Sequence, residues 1–309
     1  MNNLIKIEGK PIEKLIDVVS NTIGTIYEPK RIIRKAKADA KSNTIIAIEQ
    51  AKTKAIIDGD LKQAQYLEQI SERIINKEKK RQKNLEDVIT VAGNILQTEK
   101  EVSGDQINLD WATRFFDIVQ DISDNEMKNL WGQILAGEIK QPKSYSLRTL
   151  EVLRNMTKDE AELFQKIAPL VLVQRDSFIY SSEEVLKKFG VTYSDIAKLI
   201  EIGLLQSGDF VHKSFFSSKS ENSKVGIIYG NLVIIIELMA NASKISIPVR
   251  LLTIPGTEIV KLINFNPNID YIKEIANIIK KNDIKVSYSK IISIETNGDI
   301  NYDDIVIDL

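Results

Sequence analysis

The sequence predicts a mainly α fold with a C-terminal α+β part. Three observations carry this. Apolar residues recur at helical spacing through the first half. Helix-start patterns repeat between 105 and 192. The last third holds short β-branched runs separated by turn residues and ends on a strong two-residue turn, Asn297-Gly298. The expected order is a long N-terminal helical hairpin over 1–104 and a helical bundle over 105–172. A winged-helix-like domain follows over 173–265, then a small α/β element with a β-hairpin over 266–309.

In the first segment, residues 10–27 read as an amphipathic helix with Ile12, Leu15, Ile16, Val19 and Ile23 on one side. Gly24 ends it, and Pro29 suits the first turn of a helix over 30–57. Asp58-Gly59-Asp60 is a turn, and a second long helix runs from 60 to about 99. Leu67, Ile70 and Ile74 make one apolar patch on it; Leu85, Val88, Ile89, Ala92, Ile95 and Leu96 make another. Asn76 to Asn84 holds no apolar residue, so that stretch meets water or a partner. The two helices are therefore expected to form a coiled-coil hairpin.

In the bundle, Trp111, Phe115, Ile118 and Val119 form one stripe, and Met127, Leu130, Trp131, Ile134 and Leu135 the next. Ser123 with Glu126 and Thr157 with Glu160 are capping-box patterns. Pro142 precedes a helix near 146–156. Ser181 with Glu184 then caps a short helix ending at Gly190. Thr192 starts another that closes in Gly203-Leu204-Leu205. Strand-like runs at 208–216, 225–238 and 245–253 complete the order of a winged helix. Helices from Pro255 to about 263 and over 269–281 lead to strands at 290–296 and 299–307.

Composition narrows the function. With 309 residues, 43% hydrophobic and 28% charged, the chain is an ordinary globular protein of two or three units. A net charge of −1 exerts no global pull toward nucleic acid or anionic lipid. The absence of cysteine removes disulfides, thiolate catalysis and cysteine-type zinc sites. The single histidine, His212, cannot build a multi-histidine metal site. The start lacks the basic and apolar regions of a signal peptide, which predicts a cytoplasmic protein. The most apolar stretch, 225–240, is too short for a transmembrane helix and is broken by Gly230, Asn231 and Glu237. No phosphate-binding or dinucleotide-binding glycine pattern occurs, so no cofactor, metal or catalytic residue is expected.

Five motifs carry alternatives. Lys30, Arg31, Arg34, Lys35, Lys37 and Lys41 oppose only Asp39, and 30, 34, 37 and 41 share a helical face that suits phosphates or an acidic partner. A second run, Arg73, Lys77, Lys79, Lys80, Arg81 and Lys83, is diluted by Glu72 and Glu78. The helix from Thr192 begins with Tyr193, Ser194 and Asp195, a poor set for reading bases, so a winged helix here is expected to touch protein. Glu138-Ile139-Lys140 matches a fragment of metal-dependent nucleases but ends a helix instead of lying on a strand beside other carboxylates. From Glu295 onward every charge is acidic: Glu295, Asp299, Asp303, Asp304 and Asp308. An exposed acidic hairpin, able to pair with the basic helices of a neighbouring subunit, is the expectation there.

The block Trp111 to Phe115, Asp121 to Asp124, Leu130 to Glu138 and Ser146 to Leu150 resembles an uncharacterised bacterial family of domain-of-unknown-function type, over about residues 10 to 265. The chain is also loosely similar to alpha-helical abortive-infection proteins of bacterial phage defence. The resemblance implies a defence role as sensor or effector and assigns no catalytic residue. Within the block, Trp111, Arg114, Trp131, Glu138 and Arg148 are the expected structural constellation, with Arg114 or Arg148 satisfying Glu138. The resulting expectation is a non-enzymatic homo-oligomer assembled through its N-terminal helices and acting on a phage or host protein. A nucleic-acid-binding protein is the alternative, and a metal-dependent nuclease the third.

Overall fold

The computed structural model describes residues 10–23, 28–208, 211–240, 243–280, 283–295 and 298–309, with the backbone alone for 28–42. The chain divides into two compact units, one ending at Leu150 and the other beginning at Glu151.

The first unit is helical. In α1 (Lys10–Ile23), Pro11, Ile12, Leu15, Val18 and Thr22 bury one side, which packs against the bundle helices. The chain then forms a hairpin of α2 (Glu28–Ile57) and α3 (Leu61–Leu96), turning at Gly59 with φ +76°. Asp60 caps α3 by accepting from the Gln63 amide. Buried Ala55 and Ala64, with Lys52 Nζ 3.0 Å from Glu68, set the antiparallel register near the turn. The later part of α3 belongs to the core, with Val88, Ala92 and Leu96 fully buried. There α3 meets α4 (Leu109–Val119) and α5 (Asn125–Lys140), and α6 (Leu147–Asn155) runs across the division between the units. Gly132 allows α3 and α5 to come close: a Cβ there would sit 2.4 Å from Val91 Cγ1. The cap of α5 is Asp124, not the expected Ser123; its carboxylate accepts from the Met127 amide and complements the helix dipole.

The second unit combines helices with one antiparallel sheet. α7 (Lys158–Ile167) starts with the expected Thr157–Glu160 capping box. A 3-10 turn leads to β1 (Val171–Gln174) and β2 (Asp176–Tyr180), a hairpin the sequence reading did not anticipate. Next come α8 (Glu183–Lys188), capped by Ser182 instead of Ser181, and α9 (Tyr193–Glu201), with a Thr192–Asp195 capping box. β3 (Val211–Phe216) follows. The expected single run 225–238 is two strands, β4 (Ser223–Tyr229) and β5 (Leu232–Leu238), because Gly230 at φ +58° turns the chain. The unit continues with β6 (Lys244–Leu251), α10 (Ile254–Val260), α11 (Ile269–Ile279), β7 (Ile284–Ile294), β8 (Ile300–Tyr302) and β9 (Ile307–Asp308).

The strand order is β3-β6-β2-β1-β4-β5-β7-β8, with β9 also on β7. Its apolar centre is β5, where Val233 to Ile236 are all buried. That continuous run suits a strand covered on both faces. β5 pairs with Ile284 to Lys290 of β7, so the terminal residues complete the same sheet. Beyond Lys290, β7 continues with β8 as a two-stranded ribbon. Among the described residues, no helix is long and apolar enough to cross a membrane.

Candidate functional site

The central block builds a core. Trp111 stacks on Phe115 at 5.1 Å, and Trp131 meets the same ring edge-on at 5.5 Å. Trp111 Nε1 donates to the Tyr145 carbonyl at 2.8 Å, tying α4 to the loop after α5. Trp131 is fully buried, and its Nε1 has no hydrogen-bond partner among the described residues. Glu138 is 2% exposed. Its two carboxylate oxygens accept from the amides of Lys143 at 2.7 Å and Tyr145 at 3.0 Å. Lys143 sits at φ +73°, and the Tyr145 ring lies where a Cβ on Gly137 would fall, 2.7 Å away. The carboxylate thus clamps a tight loop onto the end of α5.

Of the expected constellation, Trp111, Trp131 and Glu138 are core residues. Arg114 and Arg148 are exposed, so the expected buried arginine–carboxylate network is replaced by backbone amides. The nuclease fragment also comes apart. Lys140 pairs with Glu99 while Glu138 points into the loop, and among the described residues no three acidic or histidine side chains gather as a cation site. Lys14 of α1 lies beside this loop region and donates to the Ser103 carbonyl at 2.7 Å. Burial lowers its pKa, against the opposing pull of Asp105 and Glu138. His212 is exposed on the edge strand β3. Asp303 Oδ1 accepts from the Ile305 amide, closing a turn.

Two surfaces stand out. The first is on the hairpin. The side chains of Lys30, Arg31, Arg34, Lys35, Lys37 and Lys41 lie outside the described residues, although their backbone is helical within α2. The second basic run is described. Arg81 is held by Asp121 at 2.8 Å, whereas Arg73, Lys77, Lys79, Lys80 and Lys83 are exposed without an ion pair among the described residues. Lys62, Tyr66, Gln69, Arg73, Lys77 and Lys80 recur at helical spacing along one exposed face of α3, and no carboxylate interrupts it. Like charges at Arg73–Lys77 and Lys77–Lys80 each disfavour the helix by a few tenths of a kcal/mol, roughly. Around the hairpin turn, Ile56 (52% exposed), Ile57 (77%), Leu61 (66%) and Tyr66 (63%) meet no apolar cover.

The second surface is the terminal ribbon of the other unit. Ile292 (72%) and Ile294 on β7, with Ile305 (71%), Val306 and Ile307 near β9, are exposed among the acidic side chains. The sequence reading found the acidity but not this apolar content, because the alternation of β7 is visible only once its pairing partners are known.

No curated protein and no solved structure matches the chain. A family model described as "Protein of unknown function (DUF2806)" matches residues 68–276, more than half of the chain, and the chain therefore belongs to that family.

Proposed function

We propose that this is a cytoplasmic, non-enzymatic protein that acts by binding and assembles with copies of itself through the N-terminal hairpin. One observation carries the reading: Ile56, Ile57, Leu61 and Tyr66 stand exposed around a single turn. Apolar side chains left in water favour association, at about 25 cal/mol for each Å² covered. The central block supports the non-enzymatic part, since its aromatic rings and its buried carboxylate are engaged in holding helices and a loop. Sedimentation velocity over a concentration series tests the assembly. The native chain should sediment as more than one copy, and the I57E/L61E variant as one. A native chain that stays single at micromolar concentration overturns the proposal. The role in anti-phage defence rests on the resemblance of the central block. Expression should lower phage plaque counts, and unchanged counts across a broad phage panel remove that role.

A second reading, nucleic-acid binding, draws on the uninterrupted cationic face of α3. We also propose a winged-helix-like module. The order α7, β2, α8, α9, β3, β6 supports it, with β6 between β2 and β3 and the hairpin β4–β5 inserted between the wing strands. Tyr193 at the start of α9 is 79% exposed beside Ser194 and Asp195, which favours contact with protein over contact with bases. Retention on duplex DNA that falls steeply with salt and is lost on neutralising Arg73, Lys77 and Lys80 would support the nucleic-acid reading. No retention at low salt dismisses it.

A further inference from the structure

We propose that the acidic, apolar terminal ribbon of one copy docks on the cationic face of α3 in a second copy. The proposal rests on the self-assembly reading above and names the surfaces that meet.

Charge is complementary. Between Ile291 and Leu309 the chain carries Glu295, Asp299, Asp303, Asp304 and Asp308 and no cation. Asp304 and Asp308 are exposed and form no ion pair among the described residues. The α3 face offers Lys62, Arg73, Lys77 and Lys80 with no anion among them.

The lengths also match. Lys62 to Lys80 spans 18 residues of helix, about 27 Å at a rise of about 1.5 Å per residue. On the ribbon, Asp308 lies opposite Ser287, Asp303 bonds through its amide to Lys290, and Glu295 bonds to Asp299 at the far end. Ser287 to Glu295 spans eight strand residues, about 27 Å at about 3.4 Å per residue. Carboxylates therefore stand at three levels over the same distance as the cations.

Both surfaces carry apolar groups that need cover. Ile292 and Ile294, at the Glu295 end of the ribbon, can meet Leu61 and Tyr66 at the turn end of α3. Nucleic acid would satisfy the cations but would leave these side chains in water. A second copy satisfies both, and the neutral balance of the chain, −1 overall, fits charges that cancel between copies. Because the ribbon and the helix are different surfaces, the contact is heterologous, each copy offering one of each.

Charge reversal tests the pairing. R73E/K77E/K80E reverses the helix face, and D304K/D308K reverses the ribbon. Circular dichroism should show both folded. Each alone should self-associate roughly tenfold more weakly than the native chain or worse, by the summed loss of several exposed pairs. An equimolar mixture should regain assembly, because each variant supplies the complement that the other lacks. Native assembly should weaken with salt. Either variant assembling as the native chain does, or a mixture that stays dissociated, overturns this docking while leaving self-assembly standing. A native chain that never assembles overturns both. Native assembly unchanged in R73E/K77E/K80E, with loss of DNA retention in the same variant, assigns the face to nucleic acid and overturns the docking.

Discussion

The two tryptophans should respond unequally to the same substitution. Trp111→Phe and Trp131→Phe remove the same atoms from buried positions, and both keep a ring against Phe115. The packing loss is therefore similar and largely cancels in the comparison. The indole nitrogens differ. Trp111 Nε1 donates to the Tyr145 carbonyl at 2.8 Å, so its loss removes a bond of about 0.5–1.5 kcal/mol net. Trp131 Nε1 is buried with no partner among the described residues. Replacing it relieves the desolvation of an unpaired donor, about 1–3 kcal/mol. W111F should then be less stable than W131F by about 1.5–4.5 kcal/mol. Each variant keeps one tryptophan, and both tryptophans lie in the first unit, so selectively excited indole fluorescence during urea unfolding reads that unit alone. Equal slopes would make the midpoints directly comparable. A W131F variant as unstable as W111F, or more so, would refute the account of the core.

Other substitutions test other contacts. Gly132→Ala forces a methyl into Val91 where α5 packs on α3 and should cost about 1–3 kcal/mol in urea unfolding; no loss would mean that α3 and α5 can separate freely. Glu138→Gln keeps the shape but leaves one of two loop amides facing a donor, which should cost about 1.5–3 kcal/mol and speed hydrogen exchange at Lys143 and Tyr145. Protection that is unchanged at both amides would refute the clamp. In the second unit, burial raises the Tyr229 phenol from 10.0 to about 12, against the Asn268 amide that lowers it. A folded pKa above the unfolded one means that this stability is present below pH 10.0 and is lost as pH climbs through about 12. Tyr229→Phe should flatten that alkaline loss, measured by circular dichroism at fixed urea, even though it forfeits the 2.7 Å bond to the Pro169 carbonyl; an unchanged alkaline slope would show that the phenol titrates normally.

The helices were the readable part of this chain. Residues 61–96 hold their pattern over many turns, so a mistake at one position cannot hide the period, and the turn at Asp58-Gly59-Asp60 is local chemistry. Caps were readable to within one residue: Asp124 and Ser182 took the roles expected of Ser123 and Ser181, since neighbouring oxygens compete for the same amides and only the final backbone angle selects one. Strands 171–180 were missed because four or five apolar residues beside a helix carry no period of their own. In the central block the aromatic and carboxylate residues were recognised as core, but Arg114 and Arg148 were given to Glu138 when the loop amides of Lys143 and Tyr145 hold it.

Periodicity, caps and turns act between residues a few positions apart, so the order of helices, the hairpin and the absence of thiol chemistry could be written down from the chain alone. The partner of Glu138, the orphaned indole of Trp131 and the joining of β5 to β7 across more than forty residues all depend on which groups meet in space. Those meetings are chosen by burial and hydrogen-bond satisfaction summed over the whole unit, and no short stretch of sequence contains that sum.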